Sequence, residues 1–221
     1  SFFKKEGIKI GRDKFFDVLR ERNLLIKNKK HKKTTTNSNH NFRKYPNKTH
    51  GLVVEKANQL WVSDITYISF GRSFYYLNLV MDAYSRKIVG WHLSDSLKAE
   101  GTIAALKMAI TTLPHHHSGL MHHSDRGSQY CCKAYVKLLN KHKIIISMTE
   151  NGDPYENILA ERINRTIKEE FLDQFVFCNY QEAQKVTAKS VRSYNRLRPH
   201  SSLDFLTPQQ AHLKTGPLKK R

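Results

Sequence analysis

Acids are scarce in this 221-residue sequence: 19 Asp and Glu stand against 38 Lys and Arg, a formal net charge of +19. Cysteine is scarcer still. Cys131, Cys132 and Cys178 are an odd number without zinc-type spacing, which excludes a disulfide framework and fits free thiols in a reducing cytosol. No apolar run approaches the ~20 residues that cross a bilayer, and no secretory signal precedes the first charged residues, so neither a membrane span nor export is expected. No internal repeat is present. What the chain does have is 39% hydrophobic residues, enough to bury a core at this length and to exclude a wholly disordered basic tail.

The charge is unevenly placed. Residues 1–50 hold 15 Lys and Arg and 4 acids, a net of +11; residues 185–221 hold 9 and 1, a net of +8; the middle holds 14 of each. A neutral body between cationic ends points to a polyanionic partner, most commonly nucleic acid. Phe15, Phe16, Leu19 and Leu24 predict a short helix near 12–23. The Lys-, Thr- and Asn-rich run at 27–41 reads as a cationic linker.

In the body, 60–70, 73–81 and 87–93 read as three strands of an antiparallel meander, with Gly71 in the first turn and Trp61 and Trp91 as core residues. A helix over 99–112, a strand over 120–123, a helix over 128–142 and a strand over 144–148 follow. Next come a loop over 150–155 and helices over 156–171 and 181–194. This order predicts an α/β fold, a mixed five-stranded sheet flanked by helices. The expected divisions are a basic N-terminal helical segment and linker (1–50), a core (51–175), and a C-terminal helix with a basic tail (176–221).

Three acids sit in unusual places. Asp64 lies within an apolar strand, Asp125 directly follows a strand, and Glu161 rides an amphipathic helix. A carboxylate in a strand is costly unless it is paired, hydrogen-bonded or metal-bound. Three that converge would suit hard divalent cations. Patterning alone leaves competitors: Asp82 resembles Asp64, and Glu150, Asp153 and Glu156 rival Glu161. The tract His115–His117 reads as a solvated loop, His123 as a neighbour of the Asp125 site, and Cys131 and Cys132 as packing.

Several stretches in order, Leu-Trp-Val-Ser-Asp-Ile-Thr-Tyr at 60–67, Val-Met-Asp-Ala-Tyr-Ser-Arg-Lys-Ile-Val-Gly-Trp at 80–91, His-Ser-Asp-Arg-Gly-Ser-Gln-Tyr at 123–130, Glu-Asn-Gly-Asp-Pro-Tyr-Glu-Asn-Ile-Leu-Ala-Glu-Arg-Ile-Asn at 150–164 and Tyr-Asn-Arg-Leu-Arg-Pro-His-Ser-Ser-Leu at 194–203, resemble the insertion-sequence transposases with a retroviral-integrase-like core. The resemblance covers roughly 8–213 and implies a ribonuclease-H-like fold. It also implies a catalytic, metal-binding triad of Asp64, Asp125 and Glu161, with 35 residues between the last two. It demotes Asp82 to a structural acid. Two Mg²⁺ ions (Mn²⁺ as a substitute) would serve strand cleavage that frees a 3′-OH, and then joining by attack of that 3′-OH.

Helical spacing puts Asn164, Arg165 and Lys168 on the side of Glu161. With Arg196 and Arg198 they are candidate DNA contacts, although solvated helix charge or a structural turn would explain the arginines equally. The implied partners are double-stranded DNA at element ends and target DNA, with a homo-oligomer in the DNA complex; the implied setting is the bacterial cytoplasm, at the nucleoid. The alternatives are a ribonuclease-H-like nuclease and a non-catalytic, transposase-derived DNA-binding protein. The family's longer N-terminal sequence predicts that this chain starts near the end of a helix-turn-helix region.

Overall fold

The structure is a computed structural model that describes residues 6–25, 39–71, 73–115, 117–150, 157–214 and 216. Most of the expected linker at 27–41 and most of the loop at 150–155 lie outside the described residues. The chain divides into two compact units, 1–32 and 33–221.

The first unit contains one helix, α1 (Arg12–Glu21), with no buried residue and an exposed Arg20–Asp17 pair at 2.6 Å. It ends two residues before the sequence-based estimate.

The second unit is built on a five-stranded sheet. Its strands are β1 (Leu60–Phe70), β2 (Ser73–Asp82), β3 (Ile88–Ser94), β4 (Met121–Ser124) and β5 (Ile145–Met148), in the spatial order β3-β2-β1-β4-β5. The first three pair antiparallel, and β1, β4 and β5 pair parallel. This is the mixed sheet the element order predicts. Phe70 faces Ser73 across a two-residue turn whose Gly71 takes φ +55°, which glycine adopts without a Cβ penalty.

Side chains alternate between the two faces of β1. Leu60 and Val62 join Leu77, Leu79 and Met81 of β2 in one core layer, and Trp61 and Ile65 join Val80 and Val89 in the other. Asp64, in phase with Leu60 and Val62, belongs to the first face. That face is covered by α5 (Ile158–Thr166), a π-helical continuation (Ile167–Leu172) and α6 (Tyr180–Leu197), through Ile163, Ile167, Val191 and Tyr194. The second face carries α2 (Ala99–Ile110), α3 (Ser128–Cys131) and α4 (Lys133–Lys141) through Ala105, Leu106 and Leu139.

Three elements differ from the periodicity reading. The single helix expected over 128–142 is broken at Cys132, whose extended backbone (φ −65°, ψ 148°) separates α3 from α4. The helix expected over 156–171 changes from α to π after Thr166. A further helix, α7 (Pro208–Leu213), follows a 3-10 turn (Ser201–Leu203); a capping box between Thr207 and Gln210 and Pro208 at its start form it.

Residues 39–50, grouped with the N-terminal segment by their charge, hydrogen-bond to the sheet unit: Lys48 N donates to Ser147 Oγ at 2.9 Å and Met148 N to Pro46 O at 3.4 Å. α6 starts at Asn179, whose side chain accepts from Glu182 N at 2.9 Å, while Glu182 accepts from Cys178 N. Asn179→Ala should therefore cost about 1 kcal/mol, read as a lower urea midpoint at unchanged slope. An unchanged midpoint would mean the cap contributes nothing.

Candidate active site

The parallel register of β1 and β4 sets Val62 opposite His123. Carried two residues onward, that register brings Asp64 on the strand alongside Asp125 at its exit. Both carboxylates are half-buried. Asp64 Oδ1 accepts from Ile65 N at 2.8 Å, and Oδ2 accepts from Asn164 Nδ2 of α5 at 2.8 Å. Asp125 Oδ1 accepts from Gly127 N at 2.9 Å, which shapes the turn into α3.

Burial, and then the negative charge of Asp125, push the Asp64 carboxyl up to about 7 from the usual 3.8, with Glu161 adding the smallest contribution. The hydrogen bonds from Ile65 and Asn164 oppose that rise without cancelling it. Two like charges are thus held together, as a divalent cation with oxygen preference would require. Glu161 lies on the exposed side of α5. Among the described residues no three His, Cys, Asp or Glu side chains are gathered closely enough to ligate one ion. Asp64 and Asp125 therefore fit a metal as they stand, and Glu161 would complete the set from a neighbouring helix.

The other candidates separate clearly. Asn164 is buried and anchors Asp64. Arg165 points outward and pairs with Glu169 at 3.0 Å. Lys168, carried by the wider π turns, places Nζ 3.8 Å from the Tyr67 ring centroid, over a β1 residue. Arg196 is exposed. Arg198 is held by both oxygens of Glu170 at 2.6 Å, so the guanidinium read as a candidate DNA contact is committed to an internal ion pair. Glu170→Ala would strand Arg198 beside Tyr194 and should cost about 2 kcal/mol in urea unfolding; a variant as stable as the parent would show the pair to be idle.

Asp82 is structural: fully buried, it accepts from Asn58 N, Ser85 N and Ser85 Oγ, and Ser85 Oγ in turn meets His212 Nδ1 of α7 at 2.9 Å. His122, buried between Ser63 Oγ (2.8 Å) and Tyr135 OH (3.0 Å), is pushed down to about 3 by burial and then by His123, so it stays neutral. His123 Nδ1 lies 2.9 Å from Ser147 Oγ on β5. Burial pushes the Cys131 thiol up to about 11, and it contacts Met148 Sδ, as packing requires. Of the His tract, His116 lies outside the described residues.

Sequence reasoning missed the Asn164–Asp64 bond, although the three-residue step from Glu161 to Asn164 placed both on one side.

Two "Integrase core domain" families match the chain, over residues 54–154 and 142–208. The chain is 36% identical over 206 residues to the insertion element IS600 uncharacterized 31 kDa protein of Shigella sonnei, covering 92% of this chain and 75% of that one. It is 34% identical to the transposase for insertion sequence element IS629 of Shigella sonnei, covering 72% of this chain and 53% of the relative. In structure it resembles the HTLV-2 integrase catalytic core domain solved with magnesium (TM-score 0.58, 20% identity, 71% of this chain and 97% of that one). That likeness shows the fold: a ribonuclease-H-like integrase core.

Proposed function

Because the chain belongs to the insertion-sequence transposases built on an integrase core domain, we propose that it cuts and rejoins phosphodiester bonds at mobile-element ends, with Asp64, Asp125 and Glu161 as its metal-holding carboxylates. The observation that carries this reading is the Asp64–Asp125 pair, two like charges held together with no Lys or Arg bonded to Asp64. The carboxylates suit two Mg²⁺, with Mn²⁺ as a substitute, which when bound would supply Lewis acidity and charge neutralisation at the phosphate.

The chain's own contribution is positioning. Asn164 and Ile65 N fix the orientation of Asp64, Gly127 N fixes that of Asp125, and α5 presents Glu161 beside them. In the first step a water oxygen bonds to phosphorus and the 3′-oxygen leaves as a 3′-OH. In the second, that 3′-OH attacks a target phosphodiester and displaces a target 3′-oxygen. No covalent enzyme intermediate is needed, so orientation and electrostatics carry the rate.

The cationic ends, 1–50 and 185–221, suit a sequence-blind grip on DNA backbone, with Lys168 and Arg196 as nearer contacts. In this reading 1–50 closes a DNA-binding region, 51–175 is the catalytic core and 176–221 supports it. The working form is a homo-oligomer on two element ends and target DNA. The setting is the bacterial cytoplasm at the nucleoid; no described helix is long and apolar enough to cross a membrane.

A second reading, a non-catalytic DNA-binding relative, draws on the exposed Glu161 and the lack of a gathered three-group cluster among the described residues. Duplexes carrying the flanking element ends with free 3′-OH groups separate the two. Joined products with Mg²⁺ or Mn²⁺, and none in EDTA, are expected. Binding without any joining in either metal would favour the second reading.

A further inference from the structure

On the opposite side of α5 from Asp64 is a cavity of about 180 Å³ between α5 and the segment after α6. At ~30 Å³ per water it has room for about six waters, or a tetrahedral oxyanion with part of its hydration shell. Its polar lining is Arg86, Arg162, Arg198, His200, Ser201 and Ser202. Tyr194 and the apolar side of α5 form the back wall.

The charges there do not cancel. Arg198 is neutralised by Glu170. Asp82, the other nearby carboxylate, is occupied by Asn58, Ser85 and the approach of His212. Among the described residues Arg86 and Arg162 form no ion pair. Arg86 donates to Ala83 O, and its own carbonyl accepts from Tyr194 OH at 3.0 Å. Burial works against its charge, with the Arg162 guanidinium adding to the same effect.

Arg86 also sits at φ +62°, a left-handed backbone that Gly or Asn would take at less cost. A large cation is thus held half-buried, in a costly conformation and without an anion. Arg162 and the Ser201 and Ser202 hydroxyls stand at the exposed mouth.

We propose that this cavity is an oxyanion site in which Arg86, Arg162 and the Ser201 and Ser202 hydroxyls receive a phosphate group of the DNA backbone, apart from the carboxylate centre. Two guanidiniums with flanking hydroxyls match the charge and hydrogen-bond geometry of a phosphate. The choice of DNA as its source rests on the function proposed above.

The site would have a mechanical role as well. α5 carries Asn164 toward Asp64 on one side and Arg162 into the cavity on the other, so a phosphate bound there braces the same helix that presents Glu161. A helix is about 10 Å across, and backbone phosphates rise by about 3.4 Å per step along a strand. The braced phosphate would belong to a nucleotide roughly three steps from the reacting one.

The test begins with inorganic phosphate titrated into the EDTA-treated full chain, followed by calorimetry in chloride buffer. Saturable binding is expected, weakened tenfold or more by Arg162→Gln and by Arg86→Gln and unchanged by Arg192→Gln on the exposed side of α6. Arg162 is exposed and bears no internal contact, so its variant keeps the test decisive if Arg86→Gln misfolds. In a second arm, Arg162→Gln should lower the log–log salt slope of duplex binding by about one, and phosphate should compete with duplex beyond the effect of matched ionic strength. Absence of saturable binding, or indifference to Arg162→Gln, overturns the site. Phosphate binding lost in Arg162→Gln with duplex affinity and slope unchanged overturns DNA as the source and leaves a free-anion pocket. A chain that binds phosphate here yet never joins ends keeps the site and refutes only the transposase reading.

Discussion

Asp64→Asn should abolish metal-dependent strand joining and, in the same molecule, make the metal-free protein harder to unfold. The first effect follows from removing one carboxylate of the proposed pair. Loss of several kcal/mol of transition-state stabilisation is on the order of a thousandfold in rate. The second follows from the position of Asp64. Its folded carboxyl titrates near 7 against an ordinary 3.8, so the fold favours the protonated form. That group's contribution is fully present below pH ~4 and is lost as pH rises through 7.

Asparagine has the same shape and no charge. Its Oδ1 keeps the Ile65 N–H, and its amide can donate to Asn164 Oδ1, which has no hydrogen-bond partner and needs only a half-turn of its own amide to accept. At pH 8 in EDTA the variant should be more stable by about 2 kcal/mol, a value trimmed for solvent at the half-buried edge, and at pH 4 the difference should vanish. Urea midpoints at matched pH cancel the other titrating groups. Mg²⁺ should raise the parent's midpoint and leave the variant's alone. A variant less stable than the parent at pH 8 in EDTA would refute the electrostatic account, and one that still joined ends would remove Asp64 from the active site.

Gly90→Ala should be the most damaging single methyl in the sheet unit. A Cβ at Gly90 would lie 2.2 Å from Ala105 O and 2.7 Å from Ala109 N, both backbone atoms of α2. Neither can swing aside, so β3 and α2 must separate and the layer around Ala105 and Ala109 must open. The cost should be about 3 kcal/mol or more, a large part of the total stability of a domain this size. Gly101→Ala provides the contrast. There the nearest atom is the side-chain amide of Asn78 at 2.7 Å, which can rotate at the expense of its bonds to Tyr76 O and His92 O. Ala within the helix returns ~1 kcal/mol of propensity. Gly90→Ala should therefore give little soluble protein and Gly101→Ala a modest fall in midpoint. Equal midpoints for the two would contradict the tight β3–α2 contact.

The strands were legible because they announce themselves locally. Alternation of Trp61, Val62, Ile65 and Ile68 with smaller or polar residues marks β1 without any long-range information. The broken and changed helices were less so. Nothing in the apolar spacing distinguishes an extended Cys132 from a helical one, or a π turn after Thr166 from an α turn. α7 was missed for a different reason: Thr207, Pro208 and Gln210 form a readable start signal, but only a short apolar pattern follows it.

At the site, the strangeness of an acid within a strand singled out Asp64. Its closeness to Asp125 depends on the β1–β4 register, which couples residues some sixty positions apart and leaves no local trace. The same holds for Arg198. Read locally, it is a basic turn beside Pro199; only the fold brings Glu170 to it from the π segment.

That π segment has a consequence for how the sequence can change over time. α5 keeps α pitch through Thr166, so Glu161 and Asn164 are set before the wider turns of Ile167–Leu172 begin. Deleting one residue there would return the helix to α pitch and rotate everything downstream by about 100°, without disturbing the carboxylate side. The stretch thus acts as a phase joint: lineages can gain or lose a residue in it, re-aiming Lys168 and the link to Arg198 while the chemistry upstream stays in register.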